Sequence, residues 1–381
     1  MSEIEEKKNW GVPPWVIDFR PRFEFHRAAA LIPDEVDVAI VGGGFTGLAA
    51  AACVRRLEPT KSVVVLEAES IGAGASGQTG GMCLGETAAG PMPGLGDVLR
   101  GFKKVLRELE VDCDLSLPGA CELARKGRGT KSAIHWNDSG DLHVVKKVRG
   151  GSIDPGKMVT GLARAAERFG AMVFENARVE DAVFDSPIRL RVAGHDVRAR
   201  RVLFAMNAQS LELNGLVRHA EPKFTLALAT EPLSREQLMS LGLESRKSFY
   251  TVDFPYLWGR LLNTNGVIFG SGLVHLKDWR EFRTLDIATG DARDLMTRLE
   301  DRVHALHPAL RDVKVTHRWG GPILISPEWE PIFSRHPKSA NALVIGAFCG
   351  HGVALSVYLG NWAARVLLGR KKLPKWEVTA D

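Results

Sequence analysis

Cysteine is scarce. The 381-residue chain has five (Cys53, Cys83, Cys113, Cys121 and Cys349), an odd number, widely spread and with no C-x-x-C pair. That argues against a disulfide framework or a zinc site and for a reducing compartment. Long apolar runs are missing too: stretches such as 48–54 fall far short of the ~20 residues that cross a bilayer. The opening MSEIEEKKNWGVPPW lacks the apolar core of a secretory signal. The expectation is a cytoplasmic protein with no membrane span. Neither charge dominates: 50 Lys plus Arg against 45 Asp plus Glu leave +5, interspersed, which is weak ground for a nucleic-acid partner. There is no internal repeat, low-complexity tract or metal-ligand cluster. A composition of 45% hydrophobic and 25% charged residues excludes a disordered or fibrous chain, and the length allows two to three folding units. Glycine is what the chain has in excess. Its 39 residues are about a tenth of the total, against ~7% in ordinary proteins.

The glycines concentrate at structural boundaries. Residues 36–41 (VDVAIV) read as a buried parallel strand, and the Ala-rich run 48–57 as a helix packed closely on a sheet. Between them lies Gly42-Gly43-Gly44-Phe45-Thr46-Gly47. Residues 62–67 (SVVVLE) form a second buried strand, so strand, turn, helix and strand make one βαβ unit. A second glycine cluster, residues 72–81, follows at once. Further on, the spacing predicts helices over 98–110, 155–169 (Asp154 as N-cap), 289–304 and 353–368. It predicts strands within 135–148 and at 172–176, 178–184, 202–205, 224–230, 267–270 and 342–346. A third glycine cluster, Gly350-His351-Gly352, precedes the last helix. Residues 249–260 read as one strand.

Gly42-x-Gly44-x-x-Gly47 between strand and helix is the context a dinucleotide fingerprint requires. Gly42 permits the tight turn, Gly44 lets the main chain approach a pyrophosphate, and Gly47 lets helix and strand pack closely. The helix start offers unpaired N–H groups to phosphate. Glu67, at the end of the second strand, is placed to accept from both hydroxyls of an adenosine ribose.

The motifs VAIVGGGFTGLAAA, VVVLEA, GAGASGQTGG, DPGKMVTGLARAAERFGAMVFENARVEDAVF, RVLFAMNAQS and FCGHGVALSVYLGNWAARVLLG resemble the D-amino-acid-oxidase-like family of FAD-dependent oxidoreductases. That family includes glycine, sarcosine and gamma-glutamylputrescine oxidases; the GASG-x-x-GG form and the Trp- and Pro-containing lead-in look closest to the last. The resemblance runs from Asp37 to Gly369. It implies an α/β fold in which a Rossmann-like FAD-binding domain is interleaved with an antiparallel-sheet substrate domain. The expected division is an N-terminal extension (1–35), cofactor segments 36–90, 151–220 and 319–381, and substrate segments 91–150 and 221–318. The expected cofactor-binding residues are Gly42, Gly44, Phe45, Thr46, Gly47, Glu67, Ala68, Gly74, Ala75, Ser76, Gln78, Gly80, Val179, Gly350, Gly352 and Val353.

The implied chemistry is oxidation of a C–N bond in an amino acid or amine by hydride transfer to the flavin, the imine product then hydrolysing. Oxygen or another acceptor would take the electrons. His351 is expected to add a donor beside the flavin ring. Tyr256 and Arg260 are expected to contact substrate from one face of the 249–260 strand, Arg260 by clamping a carboxylate with both arms of its guanidinium. A surface arginine beside packed aromatics is the plainer alternative, and Trp319 reads equally as pocket wall or core. Three departures from the family pattern stand out. Gln78-Thr79 replaces the Arg-Asn common in the gamma-glutamylputrescine branch. Residues 325–331 lack the cysteine that carries covalent flavin, so FAD is expected to be noncovalent. Residues 267–270 lack the lysine that promotes reaction with oxygen. A flavin-binding accessory subunit and an NAD-linked dehydrogenase remain the alternatives.

Overall fold

The structure is a computed structural model that describes residues 8–19 and 31–376. The rest of the expected N-terminal extension and residues 377–381 lie outside the described residues. The first βαβ unit is β1 (Glu35–Val41), α1 (Phe45–Leu57) and β2 (Val63–Leu66), followed by a one-turn helix α2 (Ala75–Gln78) and β3 (Met82–Leu84). Next come α3 (Val98–Glu108), β4 (Ala120–Ala124), β5 (His135–Asn137), β6 (Asp141–Val148) and β7 (Gly150–Ser152). The α/β rhythm returns with α4 (Pro155–Arg168), β8 (Met172–Phe174), β9 (Val179–Val183), β10 (Ile188–Val192) and β11 (His195–Phe204). After these run β12 (Glu221–Thr230), α5 (Arg235–Ser240), β13 (Ser248–Thr251), β14 (Trp258–Leu261), β15 (Val267–His275) and α6 (Gly290–Leu306). The chain closes with β16 (Val315–Ile325), β17 (Ile332–His336), β18 (Ser339–Gly346) and α7 (Gly352–Leu367).

The strands form two large sheets and one small one. The first has the order β17-β18-β11-β1-β2-β8, with the β9–β10 hairpin joined to β11. Its central pairs are parallel, as the buried β-branched runs require. The second has the order β16-β12-β15-β14-β13-β4-β6-β5 and is antiparallel except where β13 meets β4. Strands β3 and β7 pair separately. This is a Rossmann-like α/β layer interleaved with an antiparallel sheet.

Helix α1 is buried along most of its length because Ala49–Ala52 leave no bulk on either face. One side meets the sheet; the other meets α7 at Gly360, where an added Cβ would lie 2.6 Å from the Thr46 carbonyl. The first and third glycine clusters therefore open two helices that pack on each other. Asp154 caps α4, accepting the Lys157 N–H at 2.9 Å.

Two expectations need correction. Residues 249–260 are not one strand but the hairpin β13–β14, with Tyr250 opposite Trp258. The Asp253–Tyr256 segment, carrying Pro255, makes the turn, so Tyr256 shares no strand face with Arg260. The other correction is at β11, which starts at His195 rather than Val202 and pairs with an unforeseen β10. Ala193 and Gly194 both take positive φ (48° and 80°) in the two-residue turn between them. Arginines at 198, 200 and 201 face outward here and masked the alternation.

Candidate active site

The first glycine turn has the geometry its spacing predicts. Gly42 takes φ +110°, and an added Cβ would sit 2.7 Å from the Ala205 carbonyl. A Cβ at Gly47 would collide with the Gly42 carbonyl itself. Gly44 is the N-cap of α1 and provides no side-chain cap, so the helix start keeps donors for a ligand. Ser76 Oγ accepts the Phe45 N–H at 2.9 Å, joining the second cluster to this helix start.

The second cluster repeats this design. Gly72, Gly74 and Gly77 stand at the same spacing as Gly42, Gly44 and Gly47, although no long helix follows them. Gly72 takes φ +79°, Gly74 is the uncapped N-cap of α2, and a Cβ at Gly77 would collide with the Gly72 carbonyl. Two uncapped G-x-G-x-x-G turns thus meet in one cleft.

The carbonyls of the second turn are held from behind. The Trp15 indole donates to Gly77 O at 2.7 Å, the Trp319 indole to Gln78 O at 2.9 Å, and the Ile153 N–H to Gly81 O at 2.9 Å. Arg260 Nε donates to Gly80 O. Trp319 is therefore a support for the loop. Trp258 lies between Gly80 and Gly270, either of which would collide with its ring if it carried a Cβ.

The cleft encloses about 880 Å³ of space, open to solvent. Of the expected residues, Gly42, Gly44, Glu67, Ala68, Gly74, Ala75, Ser76 and Val179 line it. Phe45, Thr46 and Gly47 are buried behind its floor. Lys8, Trp10, Arg178, Met206 and Asn207 also line it and were not foreseen. Arg178 and Lys8 both pair with Glu69, so cations stand at this cleft although Gln78-Thr79 brings none. Met206 and Asn207 lie in the motif RVLFAMNAQS and Arg178 in ENARVEDAVF, but neither motif by itself assigns them a role; residues 8–10 and 206–207 arrive from distant parts of the chain.

Glu67 uses both carboxylate oxygens. Oε2 accepts the Gly43 N–H at 2.7 Å and Oε1 the Glu69 N–H at 2.9 Å. Burial raises its pKa above the usual carboxylate value, against the lowering effect of those two donors.

The third cluster does not line this cleft but joins it through β16. A Cβ at Gly321 would lie 2.7 Å from Gln78 Cβ, and one at Gly350 would lie 3.5 Å from Ile323 Cδ1. His351 is the N-cap of α7, with Nδ1 3.4 Å from the Cys349 carbonyl. Burial lowers its pKa, against the raising effect of the Cys349 carbonyl. The uncapped Gly352 and Val353 N–H groups stand beside His351 as main-chain donors at the start of α7.

Arg260 lies beneath the second turn. It is 5% exposed, not a surface residue, and its guanidinium is engaged at Nε by Gly80 O and at Nη1 by Leu261 O, 3.4 Å away. Two of its five N–H donors are thus engaged by main chain. Burial lowers its pKa to about 10, which leaves it charged at neutral pH, and it has no ion-pair partner among the described residues. Tyr256 is 37% exposed at the turn.

The residues fit FAD. Two helix starts without side-chain N-caps share the cleft with the Glu67 carboxylate. A Cβ at Gly74 would meet nothing within 4 Å, which leaves room for a ligand at the turn. Gln78 Oε1 is buried without a partner. Cys349 is buried, its Sγ 3.1 Å from the Ala347 carbonyl and 3.6 Å from Ser326 Oγ, and burial raises its pKa. A buried thiol whose pKa is raised is poorly suited to covalent attachment, and FAD is expected to be noncovalent. Acid precipitation of the purified protein should therefore release all its flavin to the supernatant; flavin kept in the washed pellet would show a covalent bond.

The model of the FAD dependent oxidoreductase (DAO) family matches residues 37–366. The chain belongs to this family of FAD-dependent oxidoreductases, and FAD is its cofactor. Among characterised and catalogued proteins it is similar to gamma-glutamylputrescine oxidoreductase of Escherichia coli (strain K12), 27% identical over 377 residues that cover 87% of this chain and 84% of the relative. It is similar also to the probable oxidoreductase OrdL of Rhizobium meliloti (strain 1021), 27% identical over 384 residues covering 88% and 84%. Glycine oxidase from Geobacillus kaustophilus shares the fold with a TM-score of 0.70 at 19% identity, over 89% of this chain and 96% of that one. L-proline dehydrogenase from P. horikoshii does so with 0.68 at 18% identity, over 90% and 96%. No helix among the described residues is long and apolar enough to cross a membrane.

Proposed function

We propose that the protein oxidises the C–N bond of a small amine or amino acid, with oxygen or another acceptor taking the electrons. The observation that carries the reading is the pair of facing G-x-G-x-x-G turns with Glu67 in one cleft, in a chain similar to a gamma-glutamylputrescine oxidoreductase. When bound, FAD supplies the acceptor for a hydride from the carbon next to nitrogen. Gly42, Gly44, Gly74, Ala75 and Ser76 would hold its pyrophosphate, Glu67 and Val179 its adenosine, and Gln78, Gly80 and the start of α7 its flavin end. The Gly352 and Val353 N–H groups and the positive end of α7 favour negative charge beside them. Arg260 supplies positive charge behind the second turn, and its free Nη2 is the arm left for an anionic group. Tyr256 stands at the turn beside Trp258, where it contacts substrate.

We assign segments 36–90, 151–220 and 319–381 to the cofactor domain, and 91–150 and 221–318 to the substrate domain. The division of strands between the two large sheets supports this, while α3 packs on α7 and β16 runs from one segment into the next. A cytoplasmic location agrees with five free, buried cysteines.

The test is an anaerobic screen of the yellow protein against amino acids, N-methyl amino acids and polyamine derivatives. Bleaching of the flavin is the expected result with at least one class, and air should restore the colour if oxygen is the acceptor. A fully loaded protein bleached by none of them would overturn the reading.

A further inference from the structure

We propose that residues 8–17 form a strap that locks FAD into the protein, with Lys8 and Trp15 as its two working residues. The inference rests on FAD as cofactor and is independent of the amine reading.

The strap runs along residues 282–287 and β16 before it reaches the glycine turns. Asn9 N–H donates to Leu285 O at 3.0 Å and accepts at its carbonyl from Ile287 N–H at 2.9 Å. The Trp10 indole donates to Phe282 O at 3.0 Å, and the Trp10 carbonyl accepts the Gly320 N–H at 2.8 Å. Gly11 lies so close to β16 that a Cβ would collide with the Arg318 carbonyl. These bonds anchor the first half of the strap to the 282–287 segment that follows β15 and to β16.

The second half crosses to the other side of the cleft. Trp15 stacks edge-on against Trp319 at 5.4 Å, and the two indoles hold the adjacent carbonyls of Gly77 and Gln78. Ile17 Cδ1 would lie 3.0 Å from a Cβ at Gly72 and 2.9 Å from one at Gly77, so it presses on the turn itself. A Cβ at Gly156 would collide with the Val16 carbonyl, seating the strap on the start of α4. At its beginning Lys8 lines the cleft with Trp10 and pairs with Glu69, two residues from Glu67. One segment thus forms part of the cleft wall and fixes the turn opposite.

The physical consequence concerns release. FAD gripped by main-chain N–H groups of the second turn would be held only as firmly as that turn, because its glycines carry no side chains to grip a ligand. Trp15 opposes movement of the turn from behind, and its partner carbonyl is buried where no water replaces the indole. Lys8 and Trp10 stand in the way at the cleft wall.

Two variants test this on FAD-loaded protein, without substrate. Trp15→Phe keeps the ring and removes the donor; Lys8→Ala removes a half-exposed cation and leaves the core untouched. FAD release is followed by the rise in free-flavin fluorescence, and melting temperature is measured with and without FAD. Each variant should release FAD about five-fold faster, the factor for one net hydrogen bond or ion pair. Each should also shrink the gain in melting temperature that FAD confers. A merely structural role would lower loaded and FAD-free proteins together and leave that gain unchanged. Unchanged release and an unchanged gain in both variants would overturn the proposal.

Discussion

Alanine at Gly47 will give a protein that folds poorly and holds no FAD, whereas alanine at Gly74 will give one that folds normally but binds FAD weakly. The two glycines occupy different positions of equivalent turns, and the geometry separates them. At Gly47 the added Cβ collides with the Gly42 carbonyl, which belongs to the main chain of the turn and has no side chain to swing away. Relief requires α1 to move off β1, disrupting the wholly buried faces of Leu48–Val54. Overpacking of a rigid core costs about 1–3 kcal/mol and more where main chain is the obstacle. At Gly74 the Cβ meets nothing within 4 Å, and its φ of −86° suits any residue. The only loss is space in the cleft, so the cost falls on the ligand. Melting temperature of the FAD-free proteins and FAD titration separate the outcomes. A Gly74→Ala protein that binds FAD like the parent would show that the second turn does not approach the cofactor.

Glu67→Ala should weaken FAD binding by about a hundred-fold, the factor for two lost hydrogen bonds to a charged acceptor. Part of the loss is direct, from the ribose acceptor. The rest is organisational, since the carboxylate also holds the Gly43 and Glu69 N–H groups at the cleft edge. Glu67→Gln will not rescue it, because an amide presents one acceptor and one donor where both partners are N–H donors. The pH dependence has a definite sign. Burial raises the folded pKa of Glu67 above its usual value, so FAD affinity should fall as pH drops through that raised value. The FAD-free fold takes the opposite sign from this group. A raised carboxyl pKa means the folded chain holds the proton more tightly, so its stability contribution is present at low pH and lost as pH rises through the folded pKa. Binding titrations across the acid range check this, and Glu67→Ala should lack the acid limb. Equal acid sensitivity in parent and variant would place the titrating group elsewhere.

These predictions rest on positions that were legible to different degrees. The first turn could be read directly because β1, the turn and α1 are contiguous, and each glycine answers a local steric demand. The second turn has the same spacing, but α2 is one turn long and offers no periodic pattern to confirm it. The 249–260 segment misled because the apolar and aromatic run continues through the hairpin turn; only the pairing of Tyr250 with Trp258 reveals the reversal. For Arg260, alternation along a strand gives the face of a side chain and not what covers that face.

What the amino-acid order determined alone is therefore local: the βαβ unit, its glycine turn, Glu67 at the end of β2, and the helix that opens at Gly352. Such features follow from neighbours within a few residues, where sterics and hydrogen bonding act through the chain itself. The tertiary structure decided which distant groups meet at the cleft and behind its second turn. Lys8 and Trp15 from the lead-in, Arg178, Asn207, Arg260 and Trp319 come together only because two sheets and a strap fold over one another. Their positions depend on long-range packing and burial, which leave no periodic trace in the sequence.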